Sequence, residues 1–373
     1  MVDRKHKSVR VRRARALQIY WDGANPIFEN YLTHAVISAN PTAFPILCFF
    51  SEWRRPEAAT AYFPQYSPRS LQRAIRQLVA NSLLLEEGTA AARYDERVAA
   101  EWAHWLPHGS FHFATRDIRY ITPEQGRRAA RGYLRKSPQP PSFKSYARAP
   151  RMQLAAPPSP HGEFIKTLLS RKTHREFSGK PVTLRAISQL LYYSFGVTGY
   201  LKAPVYGLLP HTTSPSGGAR HPIEPYVIAL RVAGLRQGIY HYQTQRHTLE
   251  LVHSGPMRSR VLRYAEGQKH VANAAAVLVM TAVFPRSMWK YRNVRAYRVV
   301  LLDAGHVCQT FCLVASWLGL APFCTAVMSE KRIERDLRVD GITESVLYLA
   351  GVGLPLEGSA RSRSARILPT ASL

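Results

Sequence analysis

The feature that most restricts the fold is a long helical segment near the carboxyl end, residues 296–318, which is apolar on more than one face. Its apolar residues are Val299, Val300, Leu301, Leu302, Val307, Phe311, Cys312, Leu313, Val314, Trp317 and Leu318. A helix of a soluble domain is normally apolar along one stripe, and a wider apolar surface needs a second cover. We therefore expect one side of this helix to pack on a core and the other to meet a second copy of the chain, forming a homodimer.

Length and composition indicate a globular protein. The 373 residues can form two domains, and 46% of them are apolar. No uninterrupted apolar run reaches the ~18 residues that a membrane span requires, and the best candidate, residues 271–284, predicts a buried strand. The basic amino terminus lacks the apolar region of a secretory signal. We expect a cytoplasmic protein without a membrane span.

The charge balance favours anionic partners without choosing among them. Lys and Arg number 51 against 24 Asp and Glu, a formal net charge of +27. Such an excess attracts phosphate cofactors, acidic peptides, nucleic acid or membrane surfaces, and it also arises from a GC-rich genome. The cysteines, Cys48, Cys308, Cys312 and Cys324, have no zinc-binding spacing. They predict reduced, mostly buried thiols and no metal site.

Composition changes along the chain predict four segments. Residues 1–20 form a basic arm, residues 21–115 a mainly helical, winged-helix-like domain, residues 116–160 a Pro-rich linker region, and residues 161–373 a second domain. In the first domain, Ser67-Pro68 begins a helix, residues 83–85 predict a strand and residues 92–94 a possible return strand after a turn.

The helix that begins at Ser67-Pro68 has two distinct faces. Leu71, Ile75 and Leu78 recur on one side, and Arg69, Arg73 and Arg76 recur on the other. The basic side is compatible with a solvated surface, with an acidic leader segment of a peptide, or with DNA phosphates. The sequence leaves these three interpretations open, and nucleic acid is the one that we expect least.

Two short motifs carry most of the chemical information. Residues 171–175, Arg-Lys-Thr-His-Arg, bring two guanidiniums, an ammonium and a hydroxyl into five positions, which suits a phosphate dianion. Residues 215–220, Pro-Ser-Gly-Gly-Ala-Arg, form a small-residue loop whose backbone can approach a flat ligand closely. A planar ring with a phosphate at the other end describes flavin mononucleotide, FMN.

These motifs belong to a set of four that resembles the nitroreductase superfamily, and within it the SagB-type (McbC-like) azoline dehydrogenases. The four segments are residues 171–177, residues 214–222, residues 238–242, and Lys290-Tyr291 followed by residues 295–298 and 303–306. The resemblance implies an α+β fold of helices around a mainly antiparallel sheet. It also implies a dimer with FMN at the subunit interface.

The resemblance further implies which residues hold FMN. Arg171, Lys172, Thr173 and Arg175 would grip its phosphate and ribityl chain, and the loop residues Pro215, Ser216, Gly217, Gly218 and Arg220 would press against its ring from the partner subunit. Phe323, Cys324, Thr325 and Ala326 match a stretch whose backbone lies near the flavin N5 in relatives. Arg361 and Arg363 stand where relatives often place further phosphate ligands.

Lys290 and Tyr291 correspond to a Lys-Tyr pair that the same family uses in catalysis. Oxidation of a thiazoline or oxazoline removes a hydride and a proton from adjacent ring carbons, and FMN is a hydride acceptor. A lysine amine can take the proton once burial and nearby positive charge favour its neutral form. Arg286, Arg292 and Arg295 are close in sequence. By contrast, His306 stands in the apolar helix, and we expect it to be a satisfied core group.

The resemblance therefore implies an FMN-dependent enzyme that matures a ribosomally made precursor peptide. A separate cyclodehydratase is expected, because the chain has no ATP-binding GxxxxGK[ST] loop. Two alternatives stay open. The first is a general NAD(P)H-dependent nitroreductase or flavin reductase, and the second is a flavin-binding regulator or peptide-binding module.

Overall fold

The computed structural model describes residues 9–117, 122–136, 162–203, 207–291 and 295–356. Its amino-terminal part contains strands β1 Val11–Arg13, β2 Leu17–Asp22, β3 Asn25–Asn30, β4 Ala35–Ser38 and β5 Leu84–Glu86. Helices α1 Ala43–Phe49, α2 Ala58–Tyr62 and α3 Pro68–Ala80 lie between β4 and β5, and α4 Ala90–Glu101, α5 Leu106–Ala114 and α6 Pro123–Lys136 follow. Strands β2, β3 and β4 form one antiparallel sheet.

Helix α3 has the cap and the buried stripe that its sequence predicts. The Ser67 side chain accepts a hydrogen bond from the Ser70 amide, and Pro68 occupies the first turn. Leu71, Ile75 and Leu78 are buried, whereas Arg69, Arg73 and Arg76 are exposed. These three buried residues pack in a small core together with Phe28, Leu47 and Phe50.

The structure differs from the sequence prediction at two places in this amino-terminal part. Residues 11–13 and 17–22 are strands rather than a separate basic arm, and the predicted return strand at residues 92–94 is wrong, because it lies inside helix α4. Thr89 caps that helix by accepting a hydrogen bond from the Ala92 amide. Strand β5 pairs instead with β1, so no hairpin forms there.

The helices after β5 join the core of the carboxyl-terminal part. Trp102 and Trp105 are fully buried and pack against Phe284 and Tyr297. The Trp102 indole also donates to the Ile342 carbonyl at 3.0 Å. The boundary predicted after residue 115 therefore does not coincide with a break between cores, and the predicted linker contains helix α6. Residues 137–161, with the Pro-rich stretches, lie outside the described residues.

The carboxyl-terminal part alternates helices with strands. In chain order its elements are α7 Gly162–Ser170, β6 Val182–Thr183, α8 Leu184–Phe195, β7 Gly199–Ala203, β8 Gly207–His211, β9 Ile223–Ala229, β10 Val232–Ala233, β11 Gly238–Gln243, β12 Thr248–Ser254, α9 Arg258–Tyr264, α10 Lys269–Ala272, β13 Ala276–Val283, α11 Phe284–Lys290, α12 Arg295–Trp317, β14 Ala321–Thr325, α13 Glu330–Leu337 and β15 Glu344–Gly353.

Six of these strands form one antiparallel sheet in the order β12-β11-β9-β13-β15-β14. Its central strand β13 is buried on both faces. Leu278 and Met280 point into the core shared with α8 and α12, and Val277 and Val279 point into a second core that contains residues of α9 and α13. The α+β architecture around a mainly antiparallel sheet is confirmed.

Helix α12 is the long apolar helix of the sequence analysis, shifted by one residue at each end. It packs with one stripe against the sheet and α8, while Leu302 remains 60% exposed. By length and hydropathy it is the one helix among the described residues that satisfies the criteria for a membrane span. Because its buried stripe lies in the core of a mixed domain, we interpret it as a core helix with a second, uncovered apolar face.

The contact between the two parts generates a stability prediction. The Arg116 guanidinium is buried, forms an ion pair with buried Glu334 and donates to the Gly341 carbonyl at 2.9 Å. Arg116→Ala leaves the Glu334 carboxylate buried without this partner, so it should lower the free energy of unfolding by about 3–5 kcal/mol. The measurement is urea unfolding followed by circular dichroism.

Arg97→Ala is the matched control, because Arg97 also reaches across to the carboxyl-terminal part, at 2.5 Å from Asp340, but is 49% exposed. Its loss should be under about 1 kcal/mol. Equal losses for the two variants would contradict a buried ion pair as the main link.

Candidate functional site

The loop of residues 215–220 is fastened to helix α12 through one carboxylate. The Ser216 hydroxyl donates to Asp303 Oδ2 at 2.6 Å, and the Gly217 amide lies 3.2 and 3.3 Å from the two Asp303 oxygens. Ser216 Oγ in turn accepts a hydrogen bond from the His221 amide at 2.9 Å. Burial raises the pKa of Asp303, and its hydrogen bonds with Ser216 and Gly217 oppose that rise. The loop is therefore held in one conformation from inside the protein.

The two glycines of the loop are required by packing within the chain. A Cβ atom on Gly217 would lie 2.2 Å from a Val299 methyl carbon. A Cβ on Gly218 would lie 2.3 Å from Tyr291 Oη and 2.8 Å from Lys290 Nζ, and Gly218 has a φ of +63°. The sequence predicts close approach of a ligand at these glycines, whereas the structure shows that the candidate catalytic pair itself lies against Gly218.

Lys290 and Tyr291 stand at the end of helix α11, after its Pro-containing first turn. Lys290 Nζ lies 3.4 Å from the Gly218 carbonyl oxygen and 5.5 Å from the centre of the Tyr291 ring. The Tyr291 carbonyl accepts a hydrogen bond from the buried Trp105 indole at 3.4 Å. Arg220 adds positive charge nearby, over the ring of Trp289 at 5.7 Å. The loop and the Lys-Tyr pair thus form one group, termed the loop group (residues 215–220, 290 and 291).

The predicted phosphate-binding residues lie in a second group. After helix α7, the chain runs in an extended conformation beside β14, where the His174 amide donates to the Pro322 carbonyl at 2.9 Å. Arg171, Lys172 and Thr173 are partly exposed there, and Arg175 is exposed. Their guanidinium, ammonium and hydroxyl donors suit the oxygens of a phosphate. We call Arg171, Lys172, Thr173, Arg175 and residues 323–326 the basic group.

Cys324 belongs to the basic group and meets two thiols of helix α12. Hydrogen bonds from Cys308 and Cys312 lower the pKa of the Cys324 thiol, and the Tyr348 hydroxyl at 3.2 Å and the charge of Arg171 act in the same direction. Hydrogen bonds with Cys312 and Cys324, together with burial, raise the pKa of Cys308. Among the described residues, no cluster could hold a metal ion.

Helix α12 separates the two groups. Val299 and Asp303 contact the loop group, whereas Cys308 and Cys312, each nine positions further along, contact the basic group. At ~1.5 Å per residue, the contact points are about 14 Å apart along the helix. The structure therefore brings the predicted site residues together as two sets of neighbours within one chain.

The setting of Phe323 fits the expectation, and that of His306 does not. Phe323 buries its side chain in the core, so only its backbone can face a ligand. His306 is exposed, and the expectation of a core histidine is wrong because the buried stripe of α12 runs through Asp303, Ala304 and Cys308 instead. Arg361 and Arg363 lie outside the described residues.

Asp303 is the residue whose role the sequence analysis missed, although it stands in one of the four matching segments. The available signal was a carboxylate in an otherwise apolar stretch of helix. Buried carboxylates are costly unless they are hydrogen-bonded, so an acidic residue at such a position indicates a partner.

A cavity of about 360 Å³ lies beside the loop group. Its lining includes Ser216, Asp303 and Glu224. Glu224 receives hydrogen bonds from His241 and Arg286, which lower its pKa against the effect of burial. The segment of residues 238–242 singled out in the sequence is strand β11, which supplies His241 to this cavity.

Comparison with known proteins identifies the carboxyl-terminal part. Residues 168–354 match the model of the nitroreductase family. The nitroreductase-like protein MJ1384 of Methanocaldococcus jannaschii is 30% identical over 209 residues, which cover 55% of this chain and 98% of that protein.

Two further relatives are processing proteins. The trifolitoxin-processing protein TfxB of Rhizobium leguminosarum bv. trifolii is 32% identical over 44% of this chain and 46% of its own length. The microcin B17-processing protein McbC of Escherichia coli is 26% identical over 46% of this chain and 62% of its own. The chain thus spans only about half to two thirds of these two relatives.

Among solved structures, one similar chain occurs in the E. coli microcin synthetase McbBCD complex with truncated pro-MccB17 bound. The sequence identity is 21%, the TM-score is 0.48, and the match covers 69% of this chain and 98% of that one.

The contact at Gly218 generates a second prediction. Gly218→Ala should displace the ends of the Lys290 and Tyr291 side chains, because the added methyl group occupies their place. We expect the rate of Lys290 acetylation by acetic anhydride, followed by mass spectrometry, to rise several-fold as the amine leaves the Gly218 carbonyl.

Gly179→Ala is the control, because Gly179 also has a positive φ, +77°, but its Cβ would meet no atom within 4 Å. Both variants should lose about 1 kcal/mol of stability from the backbone conformation, and only Gly218→Ala should alter Lys290. Unchanged acetylation in Gly218→Ala would mean that the close contact does not hold the pair.

Proposed function

The chain belongs to the nitroreductase family, and on that premise we propose that it is an FMN-dependent dehydrogenase that oxidises thiazoline or oxazoline rings in a ribosomally made peptide. The observation that carries the proposal is the contact of Lys290 and Tyr291 with Gly218. A candidate base thereby lies against the loop proposed to meet the flavin ring. The likeness to the processing proteins TfxB and McbC supports a peptide substrate.

The residues present fit FMN at both of its ends. Arg171, Lys172 and Thr173 would hold the phosphate, since their partly exposed donors match its oxygens. The loop of residues 215–220 would hold the ring, because Asp303 fixes its backbone. When bound, FMN supplies the acceptor for the hydride of the azoline ring.

The chain's own residues then account for the proton. Lys290 would take the proton from the ring carbon next to the one that loses the hydride, since its amine lies against the loop proposed to meet the flavin ring. Tyr291 would orient the amine or donate a hydrogen bond to the ring heteroatom. The peptide would reach this site after a separate cyclodehydratase has formed the ring.

We propose that the active form is a homodimer in which the loop group of one protomer completes the basic group of the other. The exposed apolar side chains Leu301, Leu302 and Trp317 of α12, together with Phe164, Leu168 and Leu169 of α7, form the surface that needs a cover. Within one chain the two groups are about 14 Å apart along α12, so a second copy gives each group a counterpart.

A charge on the exposed face of α12 tests the dimer. Leu302→Asp should give a monomer that loses its flavin, as measured by multi-angle light scattering and absorbance at 450 nm. Leu251→Asp, a similarly exposed position on edge strand β12, should leave both unchanged. A wild-type monomer that retains its flavin would rule out the shared site.

Cofactor identity is tested by comparing two flavins. The purified protein should be yellow, release FMN on denaturation, and bind FMN more tightly than riboflavin, because only FMN carries the phosphate. Arg171→Ala should remove about 10-fold or more of this preference, as expected for a charge-assisted pair worth ~1.5–3 kcal/mol.

Arg246→Ala is the matched control, because Arg246 is an exposed arginine between β11 and β12, at the opposite edge of the sheet from β14. Its FMN affinity should equal that of the wild type. Equal affinity of the wild type for FMN and riboflavin would show that the basic group does not bind the phosphate.

The reaction is tested at Lys290. Lys290→Ala should slow azoline oxidation by about 10²-fold or more, the range of a general base, while FMN occupancy stays full. Lys290→Arg should be nearly as slow, since a guanidinium stays protonated. Tyr291→Phe should be milder if the phenol only donates a hydrogen bond. Turnover is measured by mass spectrometry, which follows the loss of two hydrogens from an azoline peptide.

Lys331→Ala, at an exposed lysine paired with Asp117, is the control and should keep full activity. Near wild-type turnover in Lys290→Arg would show that Lys290 acts only through its charge. Fast bleaching of the flavin by NAD(P)H in stopped flow, without azoline oxidation, would instead favour a flavin reductase.

A further inference from the structure

The loop between β8 and β9 has an unfavourable backbone conformation. Gly218, Ala219 and His221 have φ values of +63°, +54° and +42°. For Ala219 and His221, which carry a Cβ atom, this left-handed region costs roughly 1 kcal/mol or more each. Such a conformation persists only when the surrounding structure holds it, so contacts with the rest of the protein must stabilise this loop.

The contacts on the loop converge on Asp303. Its carboxylate receives the Ser216 hydroxyl and the Gly217 amide, and Ser216 Oγ also receives the His221 amide, so both ends of the strained stretch depend on it. Asp303 is only 4% exposed. A carboxylate is costly to bury, and among the described residues its hydrogen-bond donors come from this loop.

The same turn of helix α12 contacts the loop a second time. Val299, four residues before Asp303, lies where a Cβ of Gly217 would be. Asp303 and Val299 therefore fix the distance of Gly217 and Gly218 from helix α12. Because Lys290 Nζ and Tyr291 Oη lie against Gly218, these two residues of α12 also determine the position of the Lys-Tyr pair.

We propose that Asp303 is a positioning residue, which acts through Ser216 and Gly217 to place Gly218, and through Gly218 to place Lys290 and Tyr291 for proton removal. This inference rests on the proposed function for its kinetic consequence. A displacement of about 1 Å of a reacting group can lower a rate by ~10²-fold, so the rigidity of the loop matters even though Asp303 does not itself reach the Lys-Tyr pair through any described contact.

The test compares Asp303→Asn with a variant that removes a neighbouring hydrogen bond between α12 and the loop region. The amide of Asn places an NH2 group either against the Gly217 amide, which cannot accept, or against Ser216, whose hydroxyl must then turn to accept. In either orientation Asp303→Asn removes the charge-assisted hydrogen bonds to the loop without a change of shape. Thr310→Val is the control, because the Thr310 hydroxyl meets Ser214 Oγ at 2.7 Å and joins the same helix to the residue before the loop. In each holoprotein, flavin occupancy, kcat, KM and the rate of Lys290 acetylation are measured.

We expect Asp303→Asn to lower kcat for azoline oxidation about 10-fold or more, with KM within about 2-fold, and to raise Lys290 acetylation several-fold. Ser216→Ala, which removes the donor from the other side, should raise Lys290 acetylation in the same way. Thr310→Val should change none of these quantities. A general loss of packing would instead move all three variants together, which would overturn the proposal.

Acetylation separates this inference from the proposed function, since it requires no azoline. If the wild type fails to oxidise azolines while Asp303→Asn still raises Lys290 acetylation, the positioning role stands and the proposed reaction falls. If the wild type oxidises azolines and Asp303→Asn has wild-type kcat and acetylation at equal flavin occupancy, the positioning role is overturned.

Discussion

The packing of helix α12 on the six-stranded sheet is the contact on which the rest of the structure depends. The helix spans the domain from the loop of residues 215–220 to strand β14, and its buried stripe fills the core below β13. The amino-terminal part joins the same core through Trp102 and Trp105, which pack on Tyr297 at the start of the helix. Displacement of α12 would therefore disturb the loop, the thiols around Cys324 and the contact between the two parts together.

In the proposed dimer, the length of α12 would explain why one chain is an incomplete site. The helix keeps the loop group and the basic group apart, and its apolar residues Leu301 and Leu302 face outward at the level of the loop group. If the two groups are halves of a shared site, a ligand that bridges two copies stabilises the dimer, and dimer formation in turn favours ligand binding. We propose that flavin binding and dimer formation are coupled in this way.

Buried charged side chains connect specific segments of this protein, although the chain as a whole is strongly basic. Arg116 with Glu334 and Arg12 with Asp95 are buried pairs, and each holds segments that are distant in sequence. Asp303 differs, since its described partners are a hydroxyl and an amide of the loop rather than a cation. Asp303 thus pins the loop through hydrogen bonds from neutral donors.

Local pattern determined the elements, and long-range contact determined the site. The wide apolar surface of α12 and the buried strand β13 were predictable to within a few residues, because burial leaves its periodicity in adjacent positions. The partner of strand β5 was not predictable, because β1 lies more than seventy positions away in the sequence. The residues around β5 do not show whether it pairs with such a distant strand or with the next segment in a hairpin. The sequence by itself also determined which residue types can bind a phosphate or take a proton. Only the tertiary structure decided that Lys290 lies against Gly218, 72 positions earlier, and that Asp303 holds that loop. Such contacts depend on how the sheet and α12 pack, which no local spacing encodes.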